Sequence, residues 1–253
     1  VIYIKTLKEI DYIRESCRIV AETLKLLKSH VKEGITTKEL DQIAEDYILS
    51  NDAIGAFKGY SQGGSNRFPA VVCISVDDEV VHGIPGGRVL KNGEIVSLDV
   101  GVKKNGYFGD AALTVEVGEV SEDKKRLMEI TERSLYLGIA EAKEDNRVHD
   151  ISAAVQQYVE ANGFSVVRDL FGHGVGKFLH EDPSIPNFGI KGTGKRLKSG
   201  MTIAIEPMVN MGKYDVVTER DGWTVKTKDG LPSAHYEHTV LINKNMCEIL
   251  TVC

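Results

Sequence analysis

The chain has 253 residues, enough to bury a sizeable core without disulfide or metal staples. Its 42% hydrophobic and 27% charged content excludes a disordered chain, and its net charge of −6 argues against a nucleic-acid binder, which needs a basic face. No apolar run reaches the roughly 18–20 residues of a membrane span. Val1 to Ile10 carries lysines and an acid among its apolar residues, so it does not read as a signal peptide. Cys17, Cys73, Cys247 and Cys253 are scattered without CxxC spacing and read as reduced thiols. These features together predict a cytoplasmic enzyme.

In chain order, Thr6-Leu7-Lys8-Glu9 is a capping box, and Ile13, Cys17, Val20, Leu24 and Leu27 follow at helical spacing. Thr36-Thr37-Lys38-Glu39 opens a second helix, with Leu40, Ile43, Ala44, Tyr47 and Ile48 on one face. Strands are predicted over Val71 to Val76, Ile95 to Val102 and Tyr107 to Val117. A long helix is predicted from Ser121 to Ala142, on the stripe Leu127, Thr131, Leu135 and Ile139. Another is predicted from Asp150 to Ala161, with Ile151, Ala154, Val155, Tyr158 and Val159 inward and Gly163 as its stop. Strands return over Ser165 to Leu170, Met201 to Asn210, His235 to Asn243 and Glu248 to Val252. The order helix, helix, strands thus occurs twice, and residues 31–48 align with 142–159 at a shift of 111, apolar face on apolar face. An α+β fold of two related halves, about 1–120 and 121–253, in one domain spanning 1–253, is the expectation.

Two β-rich runs flank Asn105-Gly106, a hairpin signal. A four-residue loop would pair Asp99 with Asp110, and a two-residue turn would pair Asp99 with Ala112. Either register puts both carboxylates on one face of the sheet. Like charges side by side there are destabilising unless a cation lies between them. Glu206 and Glu237 also sit inside predicted strands, where Glu is poorly represented. His173 lies in Phe171-Gly172-His173-Gly174-Val175-Gly176, whose glycines allow close backbone approach or positive φ. The spacing fits neither a phosphate loop nor a dinucleotide fingerprint. Four carboxylates and one imidazole suit two divalent ions bridged by shared carboxylates, a hydrolytic centre. No GxSxG and no convincing Cys/His pairing offers another nucleophile.

Asp99, Asp110, His173, Glu206 and Glu237, in this order, resemble the five metal ligands of the methionine aminopeptidases. The strings VVHGIP (80–85), GHGVG (172–176), IEPMV (205–209), DGWTVKT (221–227) and YEHT (236–239) are similar to those of the bacterial-type, type I enzymes. The resemblance covers nearly the whole chain and implies the pita-bread fold, two pseudo-twofold-related α/β halves with an antiparallel curved sheet around the metal site. It implies that Asp110 and Glu237 bridge two divalent ions (Fe, Mn, Co or Zn), that Asp99 completes one, and that His173 and Glu206 complete the other. Glu206 would also carry a proton between attacking water and leaving amine. His82 would contact the scissile amide nitrogen and His180 the carbonyl oxygen. Tyr60, Phe68, Cys73, Leu179 and Trp223 would line the methionine pocket, with Phe57 nearby. The loop from Tyr60 to Phe68 looks longer than the family pattern, and Trp223 fits a plain core position equally well. His30, His149, His235 and His238 match no catalytic position and read as structural.

The implied activity is removal of the initiator methionine from nascent polypeptide N-termini when the second residue is small. The expected enzyme is a monomer that binds neither membrane nor specific nucleic acid, and ribosome docking is expected of an enzyme acting on nascent chains. The alternative is an X-Pro aminopeptidase or prolidase of the same fold. Those enzymes usually carry a large N-terminal domain, for which a first helix near Thr6 leaves no room. Only 26 positions separate His180 from Glu206, against the long insertion of type II enzymes. The chain begins at Val1, and a Met-Val start is one such an enzyme would be expected to process on itself.

Overall fold

Two capping boxes set the helical framework of the computed structural model, which describes residues 1–61 and 63–252. Thr6 accepts the Glu9 N–H and Glu9 accepts the Thr6 N–H, starting α1 (Leu7–His30), and Thr36 and Glu39 repeat the device before α2 (Thr37–Ser50). Then come β1 (Ile54–Gly55), β2 (Val72–Val76), β3 (Glu79–Val81), β4 (Ile95–Lys104) and β5 (Tyr107–Glu116). The second half opens with α3 (Glu122–Glu141) and α4 (Val148–Ala161). It continues through β6 (Ser165–Val166), β7 (Phe171–Gly174), β8 (Glu181–Pro186), β9 (Thr202–Ile205) and β10 (Met208–Asn210). It ends with β11 (Val216–Thr218), β12 (Val225–Thr227), β13 (Ser233–His235), β14 (Glu237–Leu241) and β15 (Glu248–Ile249). Val148 lies 111 positions after Thr37, and Ala161 lies 111 after Ser50, so the sequence repeat coincides with paired helices.

A nine-stranded antiparallel sheet runs β1-β4-β5-β14-β9-β7-β8, with β2 also on β4 and β15 also on β14. The halves meet where β5 pairs with β14, Ala112 opposite Glu237 and Ala111 opposite His238. Side chains alternate across the sheet. Val96, Leu98, Val100, Val102, Ala111 and Val115 face the core beneath α1 and α2. Ile203, Ile205 and Val240 face the core beneath α3 and α4. The same period turns Ser97, Asp99, Asp110, Ala112, Glu237 and Thr239 to the face away from the helices. The β4–β5 hairpin takes the two-residue register, Asp99 opposite Ala112 and Gly101 opposite Asp110. Asn105 (φ 52°) and Gly106 (φ 83°) both adopt the left-handed conformation that this tight turn demands.

Several predicted boundaries are corrected. α4 starts at Val148, not Asp150, because Asp150 serves as the acceptor inside the first turn, taking the Arg147 N–H at 2.7 Å. The inward positions Ala154 and Tyr158 are half-buried, while Ala153 is buried. The predicted strand Met201 to Asn210 breaks at Glu206-Pro207, where proline has no N–H to give a ladder. The predicted strand His235 to Asn243 breaks at Tyr236. Both breaks mark the crossing between sheets: β9 pairs with β14 in the large sheet, and β10 pairs with β13 in a three-stranded one. Ser165 to Leu170 shortens to β6, and Glu248 to Val252 shortens to β15. Cys17, Cys73 and Cys247 are free thiols, as expected; Cys253, and Gln62 in the loop from Tyr60 to Phe68, lie outside the described residues.

Candidate metal centre and its pocket

Each of the five proposed ligands comes from the sheet seam or its edge. Asp99 stands on β4, Asp110 on β5, Glu237 begins β14, Glu206 follows β9 and His173 lies on β7. The strand crossing explains why Glu206 and Glu237 meet: both sit where paired strands leave one sheet for the other. Asp110 is braced across the seam, its N–H donating to Thr239 Oγ1 at 3.3 Å and its carbonyl accepting from that hydroxyl at 2.7 Å. The glycines beside His173 serve close approach, not positive φ. A Cβ on Gly172 would lie 2.4 Å from the Ala204 carbonyl oxygen, and one on Gly174 2.4 Å from that of Asp182. Only bare backbone lets β7 fit between its neighbours.

His173 Nδ1 lies 2.9 Å from the Gly174 carbonyl, which can only accept. Nδ1 therefore carries the proton and Nε2 presents its lone pair. That Nε2 lies 3.8 Å from Asp110 Oδ2 and 3.6 Å from Glu206 Oε1. Asp110 Oδ1, Asp99 Oδ1 and Glu237 Oε1 are buried with no hydrogen-bond partner. Orphaned carboxylate oxygens cost several kcal/mol in a protein interior unless a cation faces them. Ligand atoms of Asp110, His173 and Glu237 lie within 4.8 Å of one another, as do those of Glu206, His235 and Glu237. The donors present thus fit hard or borderline divalent ions.

Burial holds the carboxyls toward their neutral forms. Asp99 is pushed up to about 7 and Glu206 to about 8, chiefly by loss of water. Asp110 and Glu237 are raised well above the usual range by burial, then by the neighbouring carboxylates. Burial lowers His173 to about 3 and His180 and His82 to about 4, keeping all three neutral at pH 7.

The predicted catalytic histidines lie beside this cluster. His82 is half-buried in left-handed conformation (φ 59°), an uncommon state for a side-chain-bearing residue. It is held there by Gly83, whose carbonyl accepts the Ile74 N–H at 2.9 Å and where a Cβ would meet the Ile74 oxygen at 2.2 Å. The His180 ring lies 4.3 Å from that of His173, and its Nδ1 lies 2.7 Å from the Tyr60 hydroxyl.

Phe57, Phe68, Cys73, Leu179 and Trp223 form one apolar cluster with Tyr60 packed against it. Phe68 meets Trp223 edge to face at 5.4 Å. A cavity of about 180 Å³ is lined by Phe57, Tyr60, Phe68, Cys73 and Trp223 together with His82, His180 and all five carboxylate and imidazole ligand candidates. Trp223 is therefore pocket wall as well as core. Asp221 fixes its backbone by accepting the Trp223 main-chain N–H at 2.8 Å, and Asn66 donates to the Asp221 carbonyl at 3.0 Å, tying the loop after Tyr60 to the same wall.

Sequence reasoning missed Val81, Leu170, Phe171 and Met208, which complete the cavity lining. Their adjacency to His82, His173 and Glu206 in sequence was the available signal. It also set His235 aside as structural, whereas His235 Nε2 lies 3.6 Å from Glu206 Oε2. His149 and His238 keep to local roles, bonded to Thr193 and Thr251 respectively.

A profile of Metallopeptidase family M24 matches residues 11–244. The methionine aminopeptidase of Clostridium perfringens is 55% identical over 251 residues, 99% of each chain. The crystal structure of methionine aminopeptidase from Thermotoga maritima superposes with a TM-score of 0.96 at 44% identity, each chain covered completely. A prolidase from Pyrococcus furiosus reaches 0.79 at 24% identity, over 99% of this chain and 65% of that one, and shares the fold alone. The chain belongs to metallopeptidase family M24 and, within it, to the methionine aminopeptidases. It is a metal-dependent aminopeptidase of pita-bread fold.

Proposed function

We propose that residues 1–253 act as one catalytic domain, built from halves of about 1–120 and 121–253, that removes the initiator methionine from nascent chains with a small second residue. Asp99, Asp110, His173, Glu206 and Glu237 would hold two divalent ions, drawn from Fe, Mn, Co or Zn. Bound divalent metal supplies positive charge that activates water and polarises the scissile carbonyl.

The chain's own groups do the rest. The wall of Tyr60, Phe68, Cys73 and Trp223 takes the thioether side chain, and the enclosed volume excludes bulk water from it. With the Tyr60 hydroxyl donating to His180 Nδ1, His180 carries its proton on Nε2 and donates it to the substrate carbonyl oxygen, where charge develops. His82, neutral and fixed by its backbone, faces the scissile amide nitrogen. Glu206, ionised beside bound divalent metal, would accept a proton from the attacking water and deliver it to the leaving amine. Cytoplasmic action on nascent N-termini at the ribosome, as a monomer, follows from this reading. No helix among the described residues is long and apolar enough to cross a membrane.

The observation that carries the proposal is one cavity in which unpartnered carboxylate oxygens adjoin an aromatic, sulfur-lined wall. Metal-reconstituted protein assayed on Met-Ala-x, Met-Lys-x and Ala-Pro-x peptides tests it. Cleavage of Met-Ala-x alone is expected; fast cleavage of Ala-Pro-x without Met-Ala-x would assign an X-Pro peptidase instead.

A further inference from the structure

We propose that His235 is a sixth metal-binding side chain of this centre, its Nε2 joining the ion that Glu206 and Glu237 hold. The proposal rests on reading the carboxylate cluster as a metal centre, and goes beyond the five ligands that the family resemblance implies. His235 ends β13 and is 1% exposed, yet its Nε2 has no hydrogen-bond partner. A buried imidazole nitrogen left unpaired is costly, and native interiors rarely keep one without a function. The nearest carboxylate oxygen, Glu206 Oε2, is 3.6 Å away, too far for a hydrogen bond and suited to an ion between them.

The geometry divides around Glu206. Its Oε1 faces His173 Nε2 at 3.6 Å, and its Oε2 faces His235 Nε2 at the same distance. The clusters Asp110–His173–Glu237 and Glu206–His235–Glu237 each bring three ligand atoms within 4.8 Å, and they share Glu237. Each cluster thus combines carboxylates with one imidazole.

The backbone of His235 is held for this purpose. Its N–H donates to Thr114 Oγ1 at 3.0 Å, and its carbonyl accepts from that hydroxyl at 2.9 Å. Thr114 in turn is 2.8 Å from Ser97 Oγ on β4, two residues from Asp99. The strands that carry Asp99 and Asp110 therefore also fix the position of His235. A second imidazole makes the centre less oxygen-rich, which favours Fe, Co or Zn over Mg or Mn.

The test uses Co²⁺ added to metal-stripped full-length protein, with calorimetric titration and proton NMR of the paramagnetic product. Wild type should show two hyperfine-shifted imidazole resonances, and His235→Gln and His173→Gln one each. His235→Gln should bind one Co²⁺ more weakly by about tenfold or more, the scale seen when groups supporting a metal are removed. One imidazole resonance in wild type, lost in His173→Gln and kept in His235→Gln, would overturn the proposal while leaving the metal centre intact. No Co²⁺ bound by wild type would overturn both. The wild-type count decides the matter even if His235→Gln fails to fold.

Discussion

The two faces of the β4–β5 hairpin make opposite contributions. Toward α1 and α2, Val96, Leu98, Val100 and Val102 are fully buried among apolar neighbours. Each such side chain stabilises the fold by roughly 1.5–3 kcal/mol. On the other face, Asp99, between Leu98 and Val100, and Asp110, beside Ala111, are buried, each with an oxygen that nothing bonds. Ten-residue strands with a tight turn make both possible: the apolar face secures the register, and the register places the carboxylates. The site is therefore costly for the metal-free fold and is held in place by packing on the reverse side of the same strands.

That contrast can be broken from either side. The largest effect is expected from Glu206→Gln, which keeps shape and removes the proton acceptor. kcat should fall by about 10²–10⁴-fold, read in a peptide assay with metal saturating, while the metal-free melting temperature stays level or rises. Unchanged kcat would remove Glu206 from the proton path. On the helix face, Leu98→Ala should cost about 2–5 kcal/mol in denaturant unfolding, because it opens a cavity in a dry core. Its kcat per folded molecule should remain close to wild type; loss of activity without loss of stability would show that the two faces are not separable as described. The smallest effect belongs to Tyr60→Phe. Losing the hydroxyl that orients His180 should lower kcat by about fivefold, the worth of one hydrogen bond. A KM change alone would place Tyr60 in binding only.

The sequence period of two located the carboxylates on one face but left two hairpin registers open. Asn105-Gly106 decided between them, since both residues accept positive φ and a two-residue turn requires it there. The first two helices were legible nearly to the residue through their capping boxes, whereas α4, read from its apolar stripe alone, was placed two residues late. The strands after Ser165 were not. Where β9 passes to β10 and β13 to β14, the chain stays extended while changing sheet, so an unbroken β-rich run conceals the crossing that sets Glu206 beside Glu237. His235 was invisible for the same reason: nothing local reveals that the end of β13 points back at Glu206. The aromatic wall was legible only through resemblance, because Phe68, Cys73 and Trp223 come from three separate segments and share no spacing.

The buried carboxylates require a cation, and thermal unfolding of the protein with and without divalent metal across pH reads that requirement. Asp99 and Glu206 have folded-state pKa values of about 7 and about 8, above their unfolded values near 4. The folded state therefore binds more protons than the unfolded, and stability is lost as pH rises through that window. The lowered histidines act oppositely, but only below about pH 6.5, where the unfolded imidazoles take up protons. Between about pH 6.5 and 8 the carboxylates dominate. The melting temperature of metal-free protein should fall across that interval, and added metal should raise it by an amount that grows with pH. Superimposable curves with and without metal would show that the carboxylates need no cation.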